Sequence, residues 1–400
     1  MLRGGYRLRM RGRVALGVCA LVAVLAIGGG RESTAAASGP PCTLSWSVVP
    51  SEQVPGGGLF GVSALTSADA WAVGGASDWS RTQRPPALTE HWDGRRWTAV
   101  PSPKVAGVLE SVAIAAHADV WAVGELGSST SRTGFGPGKG ALAEHWDGAK
   151  WTRIPVPGAR RLSAVAATSG HDVWTVGSDS AGAAIVLHWT GSRWTQVLRR
   201  PSAELFDVVA ISPRDVWAVG DETDRRFLEL HWDGTRWSSY LQPPPNGGAG
   251  LDYEPELTAV AASGPTDVWA AGNAASSGNG PAWADTVVLR WNGRKWQDVA
   301  ADTLLTWVDD LAIRAAGDVL LAGLAGDDDG YSQGGAGPAV QRWRNNRWQR
   351  TVLENGERIE GFAPNAAGGL WAAGFTGRGF DPNNGFPAKT APLIMRAVCS

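Results

Sequence analysis

From Leu59 to the C-terminus, short apolar runs broken by polar turn pairs recur about every 50 residues. The unit reads Asp-x-Trp-Ala-Val-Gly, a variable gap, His-Trp-Asp-Gly-x-x-Trp, and then a Pro-rich break. Its first Trp falls at Trp71, Trp121, Trp174, Trp217, Trp269 and Trp371, with Leu320 in the sixth copy. Each copy parses into four short strands. Strand a is small and apolar, as in Val112-Ala113-Ile114-Ala115, and strand b is the Val-Trp-Ala-Val-Gly run. Strand c ends in His-Trp, and strand d opens on the Trp after Asp-Gly and stops near Pro. Asp93-Gly94, Asp147-Gly148, Asp233-Gly234 and Asn292-Gly293 predict two-residue type I′ hairpins between c and d. Thr190-Gly191 and Asn345-Asn346 are weaker signals at the same place. The Asp that opens strand b is expected to cap the a–b turn with its own carboxylate.

A period of this length, built from strands and turns, predicts an all-β, seven-bladed β-propeller with four antiparallel strands per blade. Small side chains on strand a would suit the crowded innermost position. The blades start near residues 59, 109, 162, 205, 257, 308 and 359. The seventh copy ends before its strand d. Residues 43–50 read like 95–101 and are expected to complete blade seven and close the ring. Copy alignment puts Cys42 and Cys399 at the turn positions held by Asp93 and Gly94, so a disulfide there would replace the missing hairpin turn. Nineteen of the 22 Trp fall on repeat positions, which makes them packing residues between blades.

The remaining composition concerns location and partners. Arg3, Arg7, Arg9, Arg11 and Arg13 precede an apolar run from Val14 to Ile27, and Ala35-Ala36-Ala37 follows. Residues 1–37 therefore read as a secretory signal peptide, with an uncleaved anchor as the alternative. Residues 38–400 form the propeller, secreted and extracellular. Only 5 of the 36 basic residues are Lys, a bias that fits a GC-rich, actinobacterial genome. Removing six Arg and one Glu with residues 1–37 leaves 30 basic against 37 acidic residues. That balance, without a basic stripe, argues against nucleic acid and, after signal cleavage, against a membrane partner.

The Gly-ended strand b, the aromatic strand c and the Trp opening strand d resemble the kelch-type repeats of the galactose oxidase central domain. Only Val73-Gly74-Gly75 has that family's double Gly, and His-Trp replaces its usual Tyr. The resemblance implies the fold. It does not extend to radical copper chemistry, because the mature chain has only Tyr240, Tyr253 and Tyr331, and its cysteines are assigned to closure.

Candidate chemistry is sparse. His91, His145, His188 and His231 repeat by blade and belong to the architecture, with Arg290, Arg342 and Arg396 in their place in blades five to seven. His117 and His171 fall on a–b turns. No cofactor or metal spacing is present; Asp327, Asp328 and Asp329 are weak Ca²⁺ candidates, read more simply as a solvated acidic loop. The b–c and d–a loops carry nearly all the length variation, so that face is the expected functional one. Three Trp outside the repeat map there: Trp79, Trp283 and Trp307, which takes the place of Gly58, Val108, Arg161, Glu204, Glu256 or Arg358 in other blades. With Tyr253 and Tyr331 they are the candidate contacts for an extracellular glycan or protein, and no catalytic residue is assigned. A Trp folded back on its own blade is the alternative for each. A glycan-active hydrolase or lyase would instead need Glu125, Asp179, Asp221, Glu222 or Asp327 at the channel rim. An assembly or scaffold subunit is the third reading.

Overall fold

Each copy of the repeat folds into a four-stranded antiparallel meander, and seven such sheets pack side by side around a central channel. This computed structural model describes residues 43–399 apart from 53, 55, 77–86, 128–139, 244–252, 277–283, 301–304, 326–336, 354–356, 366–367 and 381–386. Blade one gives the plan: strand a Gly57–Thr66, b Asp69–Ala76, c Leu88–Trp92 and d Trp97–Ala99. Blade seven takes strands a to c from Glu357–Pro364, Leu370–Phe380 and Pro387–Cys399, and its strand d, Leu44–Val48, from the opposite end of the chain. Leu44 lies opposite Cys399 and Trp46 opposite Ala397. The expected ring closure is thus made by backbone pairing. Cys42 lies outside the described residues.

Strand a carries a bulge at one position in all seven blades. In blade one Leu59 pairs with Gly74 and Gly61 with Val73, which leaves Phe60 unpaired and turned toward the channel. The bulge explains the Gly that ends each strand-b motif. A Cβ on Gly74, Gly220 or Gly374 would stand 1.8–1.9 Å from a strand-a carbonyl oxygen, so no other residue fits. The innermost positions are therefore not uniformly small, contrary to the expectation for strand a. The bulge rotates large residues such as Phe60, Glu110, Phe206 and Glu360 into the channel, while the small ones pack between blades.

Each strand-b Trp is buried against the next blade. Trp71 lies 5.0 Å from Trp146 and 5.1 Å, edge-to-face, from Trp151. Trp371 repeats the contact across the closure, with Trp92 at 4.9 Å and Trp97 at 5.2 Å. Edge-to-face packing also accounts for buried strand-d indoles such as Trp97 and Trp151, whose N–H finds no acceptor among the described residues. Burying one such ring is worth about 4–6 kcal/mol as an upper bound. Blade six has Leu320 for Trp, and the facing strand c of blade seven has Ala397 where the others have Trp. Leu320, Ala397 and Trp46 share one cluster, so both partners are smaller together.

Two local expectations are corrected. The strand-b Asp does not cap its turn. Asp172 Oδ1 accepts from Trp174 Nε1 at 3.1 Å and from His188 Nε2 at 2.7 Å, and the imidazole stacks on that indole at 3.8 Å. Asp119 and Asp215 make the same pair of contacts. In blade five Arg290 replaces His, donates to Asp267 at 2.7 Å and lies over Trp269. The hydroxyls of Thr66, Ser169 and Ser212 serve the turns instead. A buried indole N–H and imidazole give the carboxylate stronger partners than an exposed turn offers.

The Asp-Gly hairpins are likewise not type I′ turns centred on Asp-Gly. Trp92 pairs with Trp97, and Asp93 N–H donates across to the Arg96 carbonyl at 3.3 Å, so the turn is centred on Gly94-Arg95. Gly94 takes the positive φ of 93° while Asp93 Oδ1 accepts from the N–H of Arg95 and Arg96. Among the described residues, only Asn345-Asn346, with φ of 53° and 58° between paired Arg344 and Arg347, has the expected type I′ form.

Candidate binding site at the channel mouth

The bulge and the residue two places before it build two rings at the d–a end of the channel. The bulge ring is Phe60, Glu110, Ser163, Phe206, Thr258, Asp309 and Glu360, one residue per blade. Above it, Arg161, Glu256 and Trp307 line the same opening. Trp307 is half-buried and opposite Leu324. Phe60, Phe206 and Trp307 supply three aromatic faces, and Glu110, Glu256, Glu360 and Arg161 supply charge.

The charged members are held from below and from the side. Arg358 donates to Asp309 at 2.8 Å and to Glu360 at 2.7 Å. Burial works against its charge, but the Asp309 and Glu360 carboxylates outweigh it and hold the guanidinium firmly protonated. Arg161 Nη2 stands 3.8 Å from Glu110 Oε2. Thr258 Oγ1 donates to the Val308 carbonyl at 2.8 Å, joining blades five and six beneath the mouth. One residue past the bulge, Asp207 accepts from Val260 N–H and Asp310 from Phe362 N–H, so neighbouring blades lock together at the channel wall. The wall is rigid, and its chemistry differs from blade to blade.

The sequence candidates fare unequally. Trp307 stands in the mouth. Tyr253 opens strand a of blade five opposite Ser276, and nothing further is described of its side chain. Trp79, Trp283, Tyr331, Asp327, Asp328 and Asp329 lie outside the described residues. Among the described residues no group of His, Cys, Asp and Glu is placed to hold a metal. Of the rim carboxylates, Asp179 is committed to its own b–c turn. It accepts from Ala181 and Ala183 N–H at 2.9 Å and from Arg199 at 2.6 Å. Although desolvation works the other way, these bonds hold it below the usual range. Glu222 pairs with Arg200. Glu125 and Asp221 lie opposite Val108 and Glu204. The carboxyls that burial pushes up, Glu90 and Glu144 to about 7 and Glu229 to about 8, are on strand c and outside the channel lining.

Sequence reasoning missed Phe60, Glu110, Phe206 and Glu360. The available signal was a repeat column, one residue after the buried Leu, Val or Ile that faces the strand-b Gly, whose members range from Phe to Ser and Glu. Among columns so strongly repeated, that diversity marks a position freed from packing.

No family model matches the chain, and no curated protein is similar to it. Solved structures are. The structure titled "YCF48 bound to D1 peptide" matches over 89% of this chain and 97% of that one, with a TM-score of 0.52 and 15% identity. A chain of "Crystal Structure of Mitotic Checkpoint Complex" matches over 95% and 99%, with a TM-score of 0.52 and 12% identity. "Structure of SapL1 lectin in complex with alpha methyl fucoside" matches over 74% and 96% at a TM-score of 0.45 and 13% identity. Identities this low speak to fold alone. The chain is a seven-bladed β-propeller with a blade-specific channel mouth.

Proposed function

We propose that this protein is an exported, non-enzymatic binding propeller that takes an extracellular glycan or protein on its b–c and d–a loop face, centred on the channel mouth. The observation that carries the reading is where the blades stop resembling one another. Asp, His and Trp recur around the ring because they hold it together, whereas the mouth combines three aromatic faces with unlike charges from seven blades. Aromatic faces beside fixed polar groups suit a sugar ring or an anchoring side chain. Export by cleavage of residues 1–37 and a Cys42–Cys399 disulfide belong to the same proposal. In support, Leu44 already sits opposite Cys399, two residues from Cys42.

The test is a glycan array together with affinity capture of extracellular proteins, using the natively exported protein and its Trp307→Ala and Phe206→Ala variants. A specific ligand whose affinity falls about tenfold or more in either variant is expected. A ligand bound equally well by both variants, or turned over rather than bound, would overturn the reading.

A further inference from the structure

The face opposite the mouth carries a basic ring. In blades one to six the residue immediately before the strand-d Trp is Arg96, Lys150, Arg193, Arg236, Lys295 or Arg347. All six are exposed, one per blade, on the c–d turns. Arg95 and Arg294 add two more exposed charges on these turns, and Arg214 one on an a–b turn. The opposing charges on this face are fewer, chiefly three turn Asp and the strand-b Asp row, and Arg236 Nε stands 3.6 Å from Asp233 Oδ2. Asp93, Asp147 and Asp233 fold back onto the N–H groups of their own turns. Those backbone bonds, with the Thr235 hydroxyl first for Asp233, keep their carboxyls below the usual range. The strand-b Asp row is paired with His or Arg, as at Asp172–His188 and Asp318–Arg342. A chain of net charge −2 thus presents one positive face.

The ring is not a stripe in the sequence, because its members are about 50 residues apart. Only the closed fold places them on one side. Leu44, opposite Cys399, marks the same turn end in blade seven.

We infer that the c–d turn face docks on an anionic phospholipid bilayer, leaving the channel mouth pointing away from the membrane. Charge complementarity spread over a ring suits a planar anionic surface better than a linear ligand. Each Lys or Arg near such a surface is worth about fivefold in affinity, and the attraction fades beyond roughly 8–10 Å at physiological salt. This inference is independent of what the mouth binds, and it departs from the expectation of no membrane partner drawn from net charge.

The experiment is co-sedimentation of the natively exported protein with vesicles of phosphatidylcholine alone or with about a third phosphatidylglycerol. Wild type is compared with a variant carrying Arg96→Glu, Lys150→Glu, Arg193→Glu and Lys295→Glu. Both proteins are taken as exported and differ only at these four positions, so a difference between them reports the ring. The expected result is a loss of at least tenfold on anionic vesicles and a steep fall with added salt for wild type alone. A second variant with Gln at the same four positions keeps the test readable if charge reversal impairs folding. Unchanged affinity in the variants, equal binding to neutral vesicles, or binding of soluble dextran sulfate without binding to anionic vesicles would each overturn the inference.

Discussion

Glu229 is the residue whose replacement should improve this protein most. It lies on strand c of blade four, opposite Val219 and Tyr240, with no exposed surface. Neither carboxylate oxygen has a hydrogen-bond partner among the described residues. The same position two residues before the His or Arg holds Val186, Val288, Val340 and Ile394 in four other blades, and Thr89 and Ala143 in the remaining two. Burial pushes its carboxyl from 4.5 up to about 8. The sign follows from linkage: the folded state keeps a proton that the unfolded chain releases above about pH 4.5, so stability is highest below that pH. It then falls as pH rises toward 8 and levels off beyond. Three to four pH units at about 1.4 kcal/mol each put the penalty above pH 8 near 5 kcal/mol as an upper bound. Glu229→Val removes that penalty, and also the cost of burying a neutral carboxyl without a partner, about 1–3 kcal/mol. Urea unfolding at pH 5 and pH 8 should show a gain at both, larger at pH 8 by about 3–5 kcal/mol. A gain that does not change with pH, or a loss of stability at pH 8, would refute the reasoning.

Other substitutions test the frame. Asp172→Ala strips the acceptor from Trp174, His188 and Thr168 together and should cost about 2–4 kcal/mol, read by the same unfolding curves. Gly220→Ala drives a Cβ to 1.9 Å from the Glu204 carbonyl and should lower stability by several kcal/mol. Gly264→Ala, where nothing lies within 4 Å, should be nearly silent. Mass spectrometry of the exported protein should find Cys42 joined to Cys399, and Cys399→Ser should cost about 2–4 kcal/mol. Free thiols at both ends would reject the disulfide while leaving the paired strands in place.

Much of the frame was legible because each repeated residue answers one recurring need. Trp71 and its equivalents announce a buried interface that must be made anew in every blade, and the lone Trp46 before Pro50 announces the missing strand d. The His-Trp pairs were readable as architecture for the same reason. The turns were read less well. Asp93-Gly94 matches a type I′ signal, but Asp93 pairs with Arg96 and its carboxylate holds the Arg95 and Arg96 N–H, which moves the turn one residue on. The candidate site was read least well. Trp307 stands out because it breaks a column, whereas no local feature marks Phe60, Glu110 and Phe206 as facing the channel.

Local pattern and period were enough to determine the strands, their number and the closure of the ring, because these depend on alternation, turn chemistry and repetition along one chain. Tertiary structure alone decided which strand-a side chain faces the channel, since a bulge opposite Gly shifts the alternation by one residue. It also decided that charges some 50 residues apart share one face. Both follow from bringing distant segments into register, and a one-dimensional pattern carries no record of that geometry.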